Sequence, residues 1–297
     1  MASRPRKRRK ALGGLAPIAF ISLGLYTLWV IYPVFASATL SLTDARTNRQ
    51  TMSFVGLENY TRMFSDPRLG RTFAFTLIVT ILVTLVSNVG GVLFAMMLNN
   101  QAKNYKVMRT LAFIPQVLSG VVVAFMWRMM FNQNGLINSS ALKYGWLDAP
   151  INWLGTREMA TFCVCVTVAW ASTAFCTVVY MAGLQSVPPE LMDAARVDGA
   201  GPIKRFFNVT WPMLAPATTT CVVLGLIGAL KLYDILAVLT SGGPANSTNS
   251  LAYYVIAVAF GNGHTGYGAA LGILLLVLTA AVSAIATRIL RKRETNL

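Results

Sequence analysis

The sequence predicts an all-α protein that crosses a membrane six times, and three observations lead there. Of 297 residues, 55% are hydrophobic and only 12% charged. The apolar residues gather into runs of about 20, the length that spans a bilayer's hydrocarbon core. The basic residues fall mostly between alternate runs. A soluble core would instead interleave charged and apolar positions every turn, and helices are the spanning form that completes its backbone hydrogen bonds internally.

The first run, Leu12–Leu40, follows Arg4, Arg6, Lys7, Arg8, Arg9 and Lys10. A basic head before an apolar stretch, with Ala36-Ser37-Ala38 beyond it, imitates a secretory signal. The uncharged stretch from Ala11 to Thr43 is far longer than the roughly 7–15 residues of a signal core, so it reads as a retained anchor, and Arg8-Arg9 as topology charge. The segment 42–71 is an outer loop carrying Arg46, Arg49, Arg62, Arg68 and Arg71. The second run is Thr72–Leu98 and the third Thr110–Phe131, with Lys103, Lys106 and Arg109 between them. Met159–Gly183 and Ala215–Leu239 are the fourth and fifth, separated by Arg196, Lys204 and Arg205. The sixth, Tyr267–Leu290, ends at Arg288, Arg291, Lys292 and Arg293.

Sixteen of the 25 basic residues thus lie on one side, which the positive-inside rule makes the cytoplasm, with both termini inside. The net charge of +15 is therefore topological and implies no nucleic-acid partner. The organisation is a basic N-terminus (1–11), a first helix with its outer loop (12–71), a five-helix core (72–290) holding a cytoplasmic loop (184–214), and a basic tail (291–297).

Several chemistries find no support. Gly-Lys never occurs, so there is no GxxxxGK[ST] phosphate loop, and HExxH and GxSxG are also missing. Cys163, Cys165, Cys176 and Cys221 all fall inside spans; Cys163 and Cys165, two apart on a helix, point to nearly opposite faces and cannot share a metal. They read as buried thiols. The lone His264 sits in an outer loop, where a surface role is expected. Ion-coupled carriers keep ionisable groups at mid-membrane, and only Arg128, Lys231 and Asp234 approach that. Arg128, near the outer end of the third run, is expected to snorkel. Lys231 and Asp234, three apart, share a helical face and are expected to pair, with a cavity-lining role as the alternative.

The segment from Pro188 to Leu214 is a charged two-helix hairpin between the fourth and fifth runs. Pro189 suits a first helical position, and Glu190 and Asp193 complement the helix dipole. Asp198-Gly199 is a stop, Gly199 taking the left-handed C-cap. A second helix starts near Pro202, with Ile203, Phe206 and Phe207 on one apolar face and Lys204 and Arg205 turned away. Ala194 and Ala195 allow another backbone to approach closely, and the flanking charges orient it. A soluble partner is therefore expected to dock here; a helix lying on the membrane surface is the plainer alternative.

With those residues in view, the sequence resembles the sugar-type permeases of ABC importers, the binding-protein-dependent transport inner membrane component family. That family's loop reads approximately EAAxxDGAxxxxxFxxIxxPxLxP. Here it is Asp193-Ala194-Ala195-Arg196-Val197-Asp198-Gly199-Ala200, then Phe206 or Phe207, Val209, Pro212, Leu214 and Pro216; Asp193 stands where Glu is usual. Phe54-Val55-Gly56-Leu57-Glu58-Asn59-Tyr60 resembles its FVGLxNY segment, and Arg109 to Pro115 its RxLxFxP opening of the third span. Gly135-Leu136-Ile137-Asn138 with Trp153-Leu154, Leu239-Thr240-Ser241-Gly242-Gly243-Pro244 and Tyr267 to Leu271 match further segments in order, most closely those of maltose-type first permeases.

The resemblance implies a heterodimer with a second permease, two cytoplasmic ATPase subunits holding ATP and Mg²⁺, and an external solute-binding protein. This chain, in the lipids of a bacterial plasma membrane, would be a non-catalytic subunit without a cofactor of its own. It assigns ATPase coupling to Glu190, Asp193, Ala194, Ala195, Asp198, Gly199 and Ala200. Carried over by offset, it places Gln116, Gly120, Ala171, Ser172, Phe175, Ala229, Leu232 and Asp234 along the solute path, with helix packing as the plainer role of each. The polar tract Ser241–Ser250 is expected to contact the binding protein instead of the solute. The scarcity of basic path residues, Lys231 aside, points to a neutral sugar or polyol. An ion-coupled carrier and a membrane scaffold are the alternatives from other classes.

Overall fold

A computed structural model describes residues 17, 19–49, 51–99 and 103–294. The basic cluster Arg4–Lys10 and the last three residues lie outside them. The described residues are mainly helical, the one β interaction among them being an isolated Thr43–Phe54 bridge. The helices are α1 (Ala19–Leu40), α2 (Glu58–Phe64), α3 (Pro67–Leu98), α4 (Lys103–Val117), α5 (Gly120–Met130), α6 (Leu136–Lys143) and α7 (Arg157–Gln185). They continue as α8 (Pro189–Val197), α9 (Pro202–Met213), α10 (Ala215–Leu230), α11 (Asp234–Leu239), α12 (Leu251–Gly261) and α13 (Thr265–Glu294).

Four of these, α1, α3, α7 and α13, are long and apolar enough to cross a membrane singly. The third and fifth apolar runs are not single rods. α4 and α5 meet at 102°, and α9 and α10 at 66°, so six spans are reached only if each bent pair counts as one. The third run breaks at Leu118-Ser119, where Ser119 caps α5 by accepting from the Val122 N–H. The fifth, which the α9–α10 bend leads into, breaks at Lys231–Tyr233, between α10 and α11.

The chain divides into two compact units. One holds the residues up to Ser65 and Val255–Ile273; the other holds Asp66–Tyr254 and the residues from Leu274. In the first, α1 has no buried residue. Its π-turn at Thr27–Ile31 widens the helix just before Pro33, whose ring presses on the carbonyl four residues back. The FVGLENY segment then has a structural meaning. Gly56 turns the chain at φ +58°, and Asn59 Nδ2 donates to both Ser41 O and Thr43 O at 2.8 Å. The Tyr60 hydroxyl pairs with Ser41 Oγ at 2.8 Å, and Arg62 stacks on the Tyr267 ring, 4.6 Å from its centroid. His264, half-buried nearby, is held below the ordinary histidine pKa by burial and then by the Arg46 and Arg62 charges.

In the second unit α3 starts earlier than its hydropathy suggests, because Asp66 caps it through the Arg68 N–H at 2.9 Å and Pro67 takes its first position. α3 packs along α7 and α10. A Cβ at Gly91 would overlap Cys176, so small residues set the close approach of α3 and α7. The Tyr180 hydroxyl donates to Asn88 Oδ1 at 2.8 Å and reaches Thr218 Oγ1 at 3.4 Å, tying the three helices. Two hydrophobic clusters result. Phe75, Val79, Val83, Val164, Val168 and Leu236 belong to one; Val92, Leu98, Tyr180, Met181, Leu214 and Ala217 belong to the other.

Loops in this unit are pinned by single polar side chains. Asn138 is fully buried and donates to Asn132 O, Gln133 O and Ile151 O, while its Oδ1 accepts from Ile151 N and Trp153 Nε1. The GLIN and WL segments are therefore one hub. Arg109 Nε donates to Leu98 O at 2.9 Å, closing α3. Thr248 Oγ1 reaches Thr240 Oγ1 and Gly243 O at 2.8 and 2.6 Å inside the SGGP turn, and Ser250 Oγ donates to Leu232 O.

Candidate functional site: a hairpin and a mid-span cavity

The hairpin forms as its residues predict, with one correction. Pro189 is the first residue of α8, and no α8 residue is buried. Gly199 adopts φ +73°. The Ala200 N–H reaches Ala195 O at 2.9 Å and the Gly199 N–H reaches Arg196 O at 3.0 Å, the paired bonds of a Schellman motif. Glu190, Asp193, Ala194, Asp198 and Gly199 are exposed, while Ala195 and Ala200 are half-buried. Arg196 pairs with Asp193 at 3.0 Å on the exposed face, and Thr210 Oγ1 anchors α8 through Met192 Sδ at 3.7 Å. The correction concerns α9, whose apolar residues are not buried together. Phe206 packs against Trp211 and the second cluster, but Ile203 and Phe207 are exposed. A π-turn at Phe206–Thr210 follows.

Gln116, Gly120, Ala171, Ser172, Phe175, Ala229 and Leu232 all line one cavity of about 320 Å³. They come from both halves of the third run, from α7, and from α10 with the step after it. Asp234 is not in that wall but lies against Gly120, where a Cβ would overlap its carboxylate. The cavity sits between the two hydrophobic clusters along both α3 and α7: on α3, Val83, then Ser87 at the wall, then Val92. Ser87, Cys176, Cys221, Gly225 and Gly228 also line it. α3 was not expected to contribute, since its hydropathy gives no sign that Ser87 points inward. A larger groove of about 610 Å³ between α3, α4 and α7 is walled by apolar residues such as Phe94, Leu111 and Trp170 and gathers none of the expected path residues.

The ionisable groups differ from expectation. α10 ends at Leu230, Lys231 is its exposed C-cap, and Asp234 begins α11. The helical face that would have aligned Lys231 with Asp234 does not exist, and among the described residues the two form no ion pair. Arg128 does not simply snorkel; its Nη1 donates to Val238 O at 2.9 Å, closing the last turn of α11. The cysteines are free, and among the described residues no cluster of His, Cys, Asp or Glu suits a metal.

Comparison with known proteins bears on both features. The family profile described as "Binding-protein-dependent transport system inner membrane component" matches residues 87–295. The chain is 33% identical to the trehalose/maltose transport system permease protein MalF of Thermococcus litoralis, over 99% of this chain and 98% of that one. It is 32% identical to the sulfoquinovosyl glycerol transport system permease protein SmoG of Agrobacterium fabrum, covering 94% and 90%. Its fold matches a chain of a bacterial alginate ABC transporter, solved with an alginate pentasaccharide-bound periplasmic protein, at a TM-score of 0.84, 20% identity and 98% coverage of each chain.

Proposed function

Since the chain belongs to the binding-protein-dependent transport system inner membrane component family, we propose that it is the membrane-spanning permease subunit of an ATP-driven importer for a carbohydrate or related polyol. The observation that carries this is the convergence on one mid-span cavity of seven path residues chosen from separate stretches of sequence, with the eighth beside it.

In this reading a second permease completes the path, an external binding protein delivers the solute, and two ATPase subunits bind ATP and Mg²⁺ on the cytoplasmic side of a bacterial plasma membrane. Glu190, Asp193, Ala194, Ala195, Asp198, Gly199 and Ala200 form the handle for an ATPase: a short exposed helix whose small residues admit a partner's backbone and whose charges orient it. A permease without a nucleotide site must take its bias between outward and inward access from a partner that prefers one state. In the cavity, Gln116, Ser172 and Ser87 offer hydrogen bonds and Phe175 offers a ring face for a sugar, while Asp234 stands outside the wall, against Gly120. With no basic residue in the wall, a neutral solute fits best.

The test is a pull-down from native membranes with wild-type chain and Asp193→Lys. A Walker-motif ATPase and a second permease are expected to co-purify with the wild type, and the ATPase to be lost from the variant. Purification of the wild-type chain without either would overturn the reading.

A further inference from the structure

The helix α3 carries a feature that neither its hydropathy nor the cavity wall explains. Thr72, Thr76, Thr80 and Thr84 recur every four residues on α3, followed by Ser87, and all five are buried. Threonine hydroxyls inside membrane helices ordinarily donate to the carbonyl four residues back. Thr76 does so to Thr72 O at 2.7 Å, and Ser87 to Val83 O at 2.7 Å. Thr80 Oγ1 and Thr84 Oγ1 do not: each is buried without a hydrogen-bond partner, in residues only 2% and 7% exposed. An orphaned hydroxyl in a tightly packed helix seam is costly and calls for a reason.

The position of Thr84 supplies one. Thr84 stands directly behind Gly225, where a Cβ would come within 3.5 Å of Thr84 Oγ1 and 3.6 Å of Thr84 Cγ2. Gly225 lines the cavity, and so does Ser87, three residues further along α3. Gly225 on α10 thus borders both Thr84 and the cavity.

We infer that Thr80 and Thr84 form a hidden extension of the solute path, covered by α10 at Gly225 in this conformation and exposed in the other state of the transport cycle, where they hydrogen-bond a polyhydroxylated solute. The inference rests on the carbohydrate-permease reading. It adds the Thr80–Thr84 face of α3 to the path and makes α10 the moving wall.

Two measurements test it. Thr→Val keeps the volume and removes only the hydroxyl, so Thr80→Val and Thr84→Val should leave thermal stability unchanged or raise it, because an unpaired buried group is lost. In the assembled importer, the same variants should raise the KM for uptake about tenfold, and Thr84→Ser should restore it. Wild-type uptake by both valine variants would overturn the inference, as would a transport loss that merely follows a loss of stability. The second measurement places Thr84→Cys in a chain whose four native cysteines are replaced, and follows its reaction with a small charged thiol reagent. Reactivity should rise at least tenfold between nucleotide-free and vanadate-trapped complexes, and equal burial in both states would overturn the inference. If the wild-type complex moves no carbohydrate, the functional reading falls, and the labelling still decides whether this face of α3 opens to water.

Discussion

A Cβ at Gly199 would meet nothing within 4 Å, yet φ there is +73°. Any other residue is thus opposed by backbone strain alone, about 1–2 kcal/mol, concentrated on the Schellman turn that ends α8. Gly199→Val should therefore unravel the turn and cut ATP-driven uptake several-fold, while expression and the spans persist; uptake at the wild-type rate with normal expression would refute this. His264 makes a different prediction. Its folded-state pKa lies below its unfolded value, so its contribution to stability is complete above about pH 6.5 and is lost as the pH falls through the folded pKa. Thermal unfolding of the purified chain should show a drop between pH 7.5 and 5 that His264→Gln makes smaller; an identical drop in both would reject it. At this scale the legible residues were those whose role is written in backbone chemistry, such as Gly199 and Pro189. Asn138 was seen only as part of a motif, because a hub depends on carbonyls that the fold brings together.

Helices were legible where hydropathy alone decides them, as in α1, α3, α7 and α13. The breaks in the third and fifth runs were not, because an apolar stretch stays apolar whichever way its axis turns. Local signs existed: Pro115 and the Ser119-Gly120 cap in one, and in the other a charged Lys231 followed by residues that leave the helical region. The short helix α12 went unread because it follows a polar turn and is too brief to register as a span. The break between α10 and α11 carries its own prediction. With no shared helical face, Lys231→Gln and Asp234→Asn should act independently, and a double-mutant cycle on uptake should close to within about 0.5 kcal/mol. A coupling of 1 kcal/mol or more would mean that the two side chains meet after all. The cavity was half legible: its lining residues on α4, α5, α7 and α10 were named by resemblance, whereas the contribution of α3 emerged from packing alone.

For the whole molecule, the reading requires that transport belong to an assembly. In liposomes this chain alone should move no carbohydrate under an ion gradient, and uptake should appear when the second permease, ATPases, binding protein and ATP are supplied. Gradient-driven uptake by the lone chain would establish a secondary carrier instead. The hydrogen bonds that fasten the second unit also set an order of events during synthesis. Asn138 reaches Ile151 and Trp153 across only 13 and 15 residues, so that seam can close while the ribosome is still extending the chain. Arg128 must wait 110 residues for Val238, Thr76 waits 175 for Leu251, and Asp66 waits 188 for Tyr254. At roughly 5–20 residues per second, a half-made chain holds an uncapped arginine and an open threonine for many seconds inside the insertion machinery. Biogenesis is then a race between release into lipid and arrival of the last third, and chaperoning is needed most on the helices that emerge first.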